Sequence, residues 1–365
     1  MLKWLLKGLL VLVLALTVVI AAGLGYREWR QYGAEKTLVI DSPDGIDERM
    51  FVEIGGTEQW VTIRGQNRDN PVVLVLHGGP GTAITGLASA FLPWEKDFVV
   101  VQWDQPGAGR TFRAAGRSID PGLTIESMAR DGNELAEYLT RRLDTDKIIL
   151  LGWSWGSALG VHMVKMRPDL FAAYVGTGQV VDMQEGEALA YANVLEKARQ
   201  RQDTQALEDL AAIGPPPYDS LAELQVQREW ASMYELDRSL VAGLFLPQLV
   251  APRVTLADFY DLAGGSLASG DHFAGQDLRG PMSELDLRKL GPEFAIPMFV
   301  VQGLEDDFTP AALGRDYVDY ITAPEKAFIP IEGAGHMAIT EHSDEFLAVM
   351  RERVRPLAIR IVTKL

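Results

Sequence analysis

A serine with a glycine two residues away on either side, Gly152-Trp153-Ser154-Trp155-Gly156, is the residue of this chain best placed to act as a nucleophile. A serine hydroxyl attacks poorly at neutral pH, so it needs a base to take its proton and a third group to orient that base. Five histidines are present, and His336, in Gly333-Ala334-Gly335-His336 after a terminal strand, has a flexible turn that lets an imidazole reach across strand ends. His77 reads as a brace for a glycine loop, His162 as a packed or surface residue of the helix after Ser154, His272 as part of a solvated Gly270-Asp271-His272 loop, and His342 as a surface residue. The orienting carboxylate is expected in Gly303-Leu304-Glu305-Asp306-Asp307-Phe308-Thr309-Pro310, with Asp306 the choice by its offset from Gly303 and Asp307 the runner-up. Ser154, His336 and Asp306 together have the chemistry of acyl transfer through a covalent intermediate.

Acyl transfer also needs donors for an oxyanion. His77-Gly78-Gly79-Pro80-Gly81 follows an apolar run ending at Leu76, and glycines there let backbone N–H groups come close. The Gly79 amide is expected to work with that of Trp155, the residue after the nucleophile. The loop lacks the Lys-Ser/Thr ending of a phosphate-binding glycine loop.

Hydrophobic periodicity gives the elements that must hold these groups. Lys147 to Leu151 reads as a buried parallel strand, Gly-x-Ser-x-Gly as a sharp turn, and Ala158 to Met166 as a helix, which together make a nucleophile elbow. Upstream, Leu38–Ile40, Met50–Ile54 and Glu58–Ile63 read as antiparallel strands with Gly55-Gly56 as a turn, and Ile125 to Leu143 as an amphipathic helix. Val72–Leu76 and Phe98–Trp103 are near-continuous apolar runs, the mark of strands covered on both faces. Strands alternating with helices predict a mostly parallel α/β sheet with its chemistry at the carboxyl ends of the strands.

From Val181 to Pro292 the strand rhythm stops. Helices are expected at Glu185–Ala212 and Leu221–Tyr234, broken by Gly214-Pro215-Pro216-Pro217, and the run Leu244–Leu249 reads as lid core or pocket lining. Strands resume at Pro297–Gln302 and Ala327–Ile331, followed by a closing helix from Ser343 to Val354 with Ser343 as its N-cap. The expected organisation is an anchor or signal sequence at 1–30, core at 37–180, a helical cap insertion at 181–292, and the second part of the core at 293–365.

The 365 residues are 47% hydrophobic and 23% charged, as expected of a folded globular chain. A formal net charge of −16 argues against nucleic acid as a partner, and the absence of cysteine excludes disulfides, thiolate metal sites and a cysteine nucleophile. Gly8 to Tyr26 carries no charge and is long enough for a helix to cross a hydrocarbon core of roughly 30 Å. Trp4, Tyr26 and Trp29 fit interfacial anchors, and the basic residues Lys3 and Lys7 favour an inside amino terminus with the remaining chain extracytoplasmic. A signal sequence cleaved near Ala21 or Gly23, giving a secreted protein, is the competing reading.

His77 to Gly81, Trp103-Asp104-Gln105-Pro106-Gly107-Ala108-Gly109-Arg110-Thr111, Gly152 to Ser157, Gly303 to Pro310 and Gly335-His336, spread in order between Leu38 and Val354, resemble the proline iminopeptidase (prolyl aminopeptidase) group of the α/β-hydrolase superfamily. The resemblance implies the α/β-hydrolase fold and a serine hydrolase that removes an amino-terminal residue, often proline, from small peptides without a metal or organic cofactor. Members of the group hold the substrate α-ammonium with cap glutamates. Trp230-Ala231-Ser232-Met233-Tyr234-Glu235 is similar to the family's tryptophan-x-x-aromatic-glutamate stretch with one residue added, so Glu235 is the implied substrate-binding residue. The residues alone leave open an esterase or amide hydrolase of small acyl substrates, and a catalytically idle binding module on the same fold.

Overall fold

The computed structural model describes residues 2–236 and 245–362. It begins with α1 (Leu2–Glu35), which is long and apolar enough to cross a membrane and whose apolar stretch is not covered by the rest of the chain. Eight strands then form one sheet: β1 (Ile46–Ile54), β2 (Thr57–Gly65), β3 (Val72–Leu76), β4 (Val99–Trp103), β5 (Ile148–Trp153), β6 (Phe171–Thr177), β7 (Met298–Gly303) and β8 (Lys326–Ile331). Their order is β1-β2-β4-β3-β5-β6-β7-β8. β1 and β2 form a hairpin, β2 runs antiparallel to β4, and every neighbouring pair from β4 to β8 is parallel.

Between strands run α2 (Gly109–Ala114), α3 (Ile125–Leu143) and α4 (Trp155–Met166). The stretch between β6 and β7 is helical: α5 (Met183–Arg201), α6 (Thr204–Ile213), α7 (Leu221–Leu236), the single turn α8 (Leu246–Leu249) and α9 (Leu256–Ala274). α10 (Ala311–Tyr320) joins β7 to β8, and α11 (Ala338–Glu341), α12 (Ser343–Val349) and α13 (Arg355–Val362) close the described chain.

Because successive residues of a strand face opposite sides, the central strands feed two cores. Leu74, Leu76 and Leu150 pack with Leu135 and Leu139 of α3 and Leu159 of α4 on one face, while Val73, Val75 and Leu151 pack with Trp94, Phe346 and Met350 on the other. Each buried side chain of this size is worth about 2 kcal/mol, so several together rival the entire net stability of a domain. That fixes the sheet's register, and with it the strand ends where the chemistry was expected.

Several local expectations are corrected. Leu38–Ile40 is no strand: Lys36–Leu38 is a short 3-10 turn that buries Leu38 and offers its carbonyl to Arg64, and the first strand starts at Ile46. β6 has no counterpart among the expected strands. The single helix foreseen over Glu185–Ala212 is two, because Gln202 turns left-handed at φ 53° and Asp203 caps a new helix through the Ala206 amide. His272 belongs to α9 rather than a loop, with its Nε2 2.8 Å from the Leu123 carbonyl. Ser343 is the first residue of α12 and not its cap, since His342 takes that position without a side-chain bond. The closing helix is interrupted by a π-turn over Met350–Val354. Phe245 to Leu249 of the suspected lid run is described, and Leu244 lies outside the described residues.

Candidate active site

Ser154 sits between β5 and α4 with φ 56° and ψ −124°, a conformation that costs a non-glycine residue about 1–3 kcal/mol. The surrounding backbone holds it there: the Ser154 amide donates to Thr177 O at 2.9 Å, and its carbonyl accepts from the Ser157 amide at 2.7 Å and the Ser157 hydroxyl at 2.6 Å. A Cβ on Gly156 would lie 2.7 Å from the His77 carbonyl and one on Gly152 2.5 Å from the Gly156 carbonyl, so the strand and helix can cross this closely only with glycine. The serine is thereby lifted off the sheet at the N-terminal end of α4, where unpaired amides and the helix dipole favour negative charge.

His336 follows β8, and Asp306 follows β7. Asp306 Oδ2 lies 3.0 Å and Oδ1 3.1 Å from His336 Nδ1. Asp306 is buried and also accepts from the Phe308 amide at 2.9 Å, the Thr309 amide at 2.8 Å and the Thr309 hydroxyl at 2.7 Å. Burial works to raise its pKa, but the His336 charge and these donors outweigh burial and hold the carboxyl below the usual range. With Asp306 ionised, Nδ1 carries the ring proton and Nε2 is left as a base. Asp307 points elsewhere, into an ion pair with Lys197. The runner-up is therefore not the acid beside the ring. Phe308 packs against His336 with ring centroids 5.0 Å apart and planes tilted by 35°, and Trp153 Nε1 donates to the His336 carbonyl at 3.3 Å.

Ser154 and His336 line one cavity of about 380 Å³, along with Gly78, Gly79 and Trp155. Among the described residues no hydrogen bond joins the Ser154 hydroxyl to the ring. Such bonds are often long in empty sites and tighten with substrate. Gly79 adopts φ 117°, outside the range of ordinary residues, and Trp155 opens α4, where its amide has no acceptor within the helix. His77 is fully buried behind this loop: Nε2 accepts from the Gln105 amide at 3.3 Å, so Nδ1 carries the proton and donates to Gly78 O at 2.9 Å. Burial pushes its pKa down to about 4, which keeps it neutral as a brace.

Glu235 comes to the site from α7 but does not line the cavity. Its Oε2 accepts from the His336 amide at 2.7 Å and its Oε1 from the Asp307 amide, so the carboxyl ties the histidine loop to the acid loop. Burial, with the nearby Asp306 charge, pushes its pKa up to about 9. The acids that do line the cavity went unread in the sequence. Glu187 pairs with Arg228, and Asp182 with Arg288 at 2.8 Å. Arg228 also donates to Phe308 O at 2.7 Å and stands over the Phe308 ring. Neither Glu187 nor Arg228 sits in a motif; only their facing places on α5 and α7 join them. The other walls are largely apolar, including Val180, Val181, Leu224, Phe245 and Leu313. Among the described residues no three His, Asp or Glu are grouped to hold a metal ion.

Comparison with known proteins agrees with this architecture. The alpha/beta hydrolase fold family matches residues 71–343. The chain is 28% identical over 314 residues to a probable aminopeptidase of Bacillus subtilis (strain 168), covering 83% of this chain and 95% of that one. Among solved structures it is similar to a proline iminopeptidase from Mycobacterium smegmatis, with TM-score 0.62 at 18% identity over 86% of this chain and 99% of the other. It is also similar to a thermophilic esterase from Thermogutta terrifontis, with TM-score 0.53 at 20% identity over 85% and 99%. A family match that takes in most of the sheet, the elbow, the helical stretch after β6 and the histidine loop is decisive, and the chain belongs to the alpha/beta hydrolase fold family.

Proposed function

We propose that this protein is a serine hydrolase that works through an acyl-enzyme. The observation that carries the reading is the His336–Asp306 pair at 3.0 Å on the rim of the cavity that also receives the strained Ser154. Ser154 attacks the acyl carbon, His336 Nε2 takes its proton and returns it to the leaving group, and Asp306 orients the ring and balances its charge. The Gly79 and Trp155 amides stabilise the tetrahedral oxyanion, and losing one such donor typically costs about 3 kcal/mol. The helices between β6 and β7 serve as a cap, and α1 as a membrane anchor with the hydrolase outside the cytoplasm.

The cavity favours an apolar acyl group, because its walls are largely apolar and Glu187 is paired with Arg228, while Asp182 shares Arg288 with Glu185 and Asp286. A second reading, aminopeptidase action on small peptides, is favoured by the name of the Bacillus subtilis relative. In it, Glu187 must leave Arg228 to receive an α-ammonium, or Glu235 must turn from the loops it joins. A fluorophosphonate probe tests the shared mechanism: it should label the native protein, and labelling should vanish in Ser154→Ala. Label retained by that variant would end the proposal. Rates on a short-chain aryl ester and on a prolyl-arylamide then decide between the two substrates.

A further inference from the structure

α1 is pinned to the helical insertion directly after its apolar run ends at Tyr26. Arg27 is buried, with Nε donating to Leu249 O at 3.1 Å and Nη2 to Val254 O. One turn later Gln31 Nε2 donates to Ala251 O at 2.6 Å and to Val254 O at 2.8 Å, and Glu35 pairs with Arg253 at 2.8 Å. The point where α1 must leave an apolar medium is therefore locked against the segment 249–254, which runs straight into α9 through its Thr255 cap.

α9 turns apolar side chains outward as well as inward, where it also buries Asp261 and Ser269. Leu262, Gly265 and Phe273 face the protein, whereas Leu256, Tyr260 and Leu267 are 51%, 66% and 72% exposed. At 3.6 residues per turn these three fall within about 40° of one another, on the side where a water-facing helix normally carries polar groups. The row extends about 17 Å along the helix. It starts beside Val254, which is bonded to the end of α1, and finishes at Leu267, which lines the cavity that holds Ser154 and His336. Leu246, just before the pinned segment, is also half exposed.

We propose that this row rests on the bilayer entered by α1, and that the cavity draws its substrate from there: an uncharged amphiphile whose ester or amide carbonyl is carried on an apolar chain. A lipid surface is the occupant because the row is continuous with a span that needs one, and a chain of net charge −16 must dock by apolar burial rather than by attraction to anionic headgroups. The choice of substrate rests on the serine hydrolase reading; the docking does not.

The absence of cysteine gives a direct test, since one introduced thiol takes a fluorophore at a single place. The full chain is reconstituted in phosphatidylcholine vesicles containing lipids with a quencher near the headgroup. Labels at Leu14→Cys in the span and at Tyr260→Cys should be quenched. A label at Asp319→Cys should not, as it lies beside Lys326 at the start of β8, the sheet edge farthest from β1. Quenching at position 14 without quenching at 260 overturns the docking, and no quenching at 14 removes the membrane and the proposal with it. For the substrate, Leu256→Glu with Tyr260→Glu should lower turnover of a long-chain ester embedded in the vesicles about tenfold and leave a soluble short-chain ester unchanged. An equal fall on both, or none, overturns delivery from the bilayer. A native protein quenched at 260 but unreactive toward esters and fluorophosphonate refutes the hydrolase reading and leaves the docked face standing.

Discussion

Two regions meet at the cavity and are held by different means. The sheet brings Ser154, Asp306 and His336, each on a turn leaving a parallel strand, and backbone groups hold the first two: Thr177 O for Ser154, the Phe308 and Thr309 amides for Asp306. The insertion brings Glu187, Arg228 and Glu235, whose places depend on side-chain pairs between separate helices or on reaching over to the sheet's loops. A backbone-held group can be altered only by rebuilding the turn, whereas an ion pair can be exchanged by one or two substitutions. The proposed function thus puts chemistry on the part of the fold least able to vary, and selection of substrate on the part most able to.

Adjacent acids give the largest expected contrast. In Asp306→Asn the amide would donate toward Nδ1 and favour the wrong tautomer, so kcat should fall about 10⁴-fold. Asp307→Asn loses the Lys197 pair and should leave kcat within about threefold, since Asp307 makes no bond to the His336 ring; its cost falls on stability, because the Asp307 carboxylate is buried. Steady-state rates on one ester check both, and comparable losses would mean that the acid loop does not divide its labour in this way. Glu235→Gln is intermediate. A glutamine presents one donor where two amides seek acceptors, at a cost of about 1–3 kcal/mol, and ester and prolyl-arylamide turnover should fall together by about tenfold. A loss confined to the arylamide would instead make Glu235 an ammonium ligand and carry the insertion into the chemistry.

An effect on stability rather than on rate is expected of an acid of the sheet. Asp104, after β4, is fully buried and held by the Arg110 amide at 2.8 Å, and burial pushes its pKa up to about 7. The folded carboxyl keeps its proton to higher pH than the unfolded one, so its contribution to stability is complete below about pH 4 and is lost as pH rises to about 7, with a limiting slope of about 1.4 kcal/mol per unit. Denaturant titrations of Asp104→Asn should lack that slope. Equal slopes in the two proteins would mean that Asp104 stays ionised when folded.

What could be read in advance follows the same division. The elbow and the strands leading to it are local: glycine at 152 and 156, an apolar run before, a helix after. Asp306 is preferred over its neighbour by position alone; in the folded loop, amides two and three residues on wrap its carboxylate, and Asp307 faces Lys197. β6 escaped notice because in Phe171-Ala172-Ala173-Tyr174-Val175-Gly176-Thr177 the small residues Ala172, Ala173 and Gly176 carry little strand signal. The break at Gln202 has no glycine or proline to announce it. α9 was hidden by Gly264, Gly265 and Gly270, which lower helix propensity; Gly265 is there because a Cβ would come within 2.7 Å of the Gly107 carbonyl. The Glu187–Arg228 pair joins residues 41 apart in sequence, and no local pattern points to it.

The left-handed backbone at Ser154 is maintained only while β6, the loop after β3 and α4 are closed around it. A copy with any of these unassembled has an ordinary serine in solution and no ring at its side. Under the proposed serine hydrolase reading, newly made, stalled or damaged molecules are therefore inert toward bystander esters, and turnover counts intact ones.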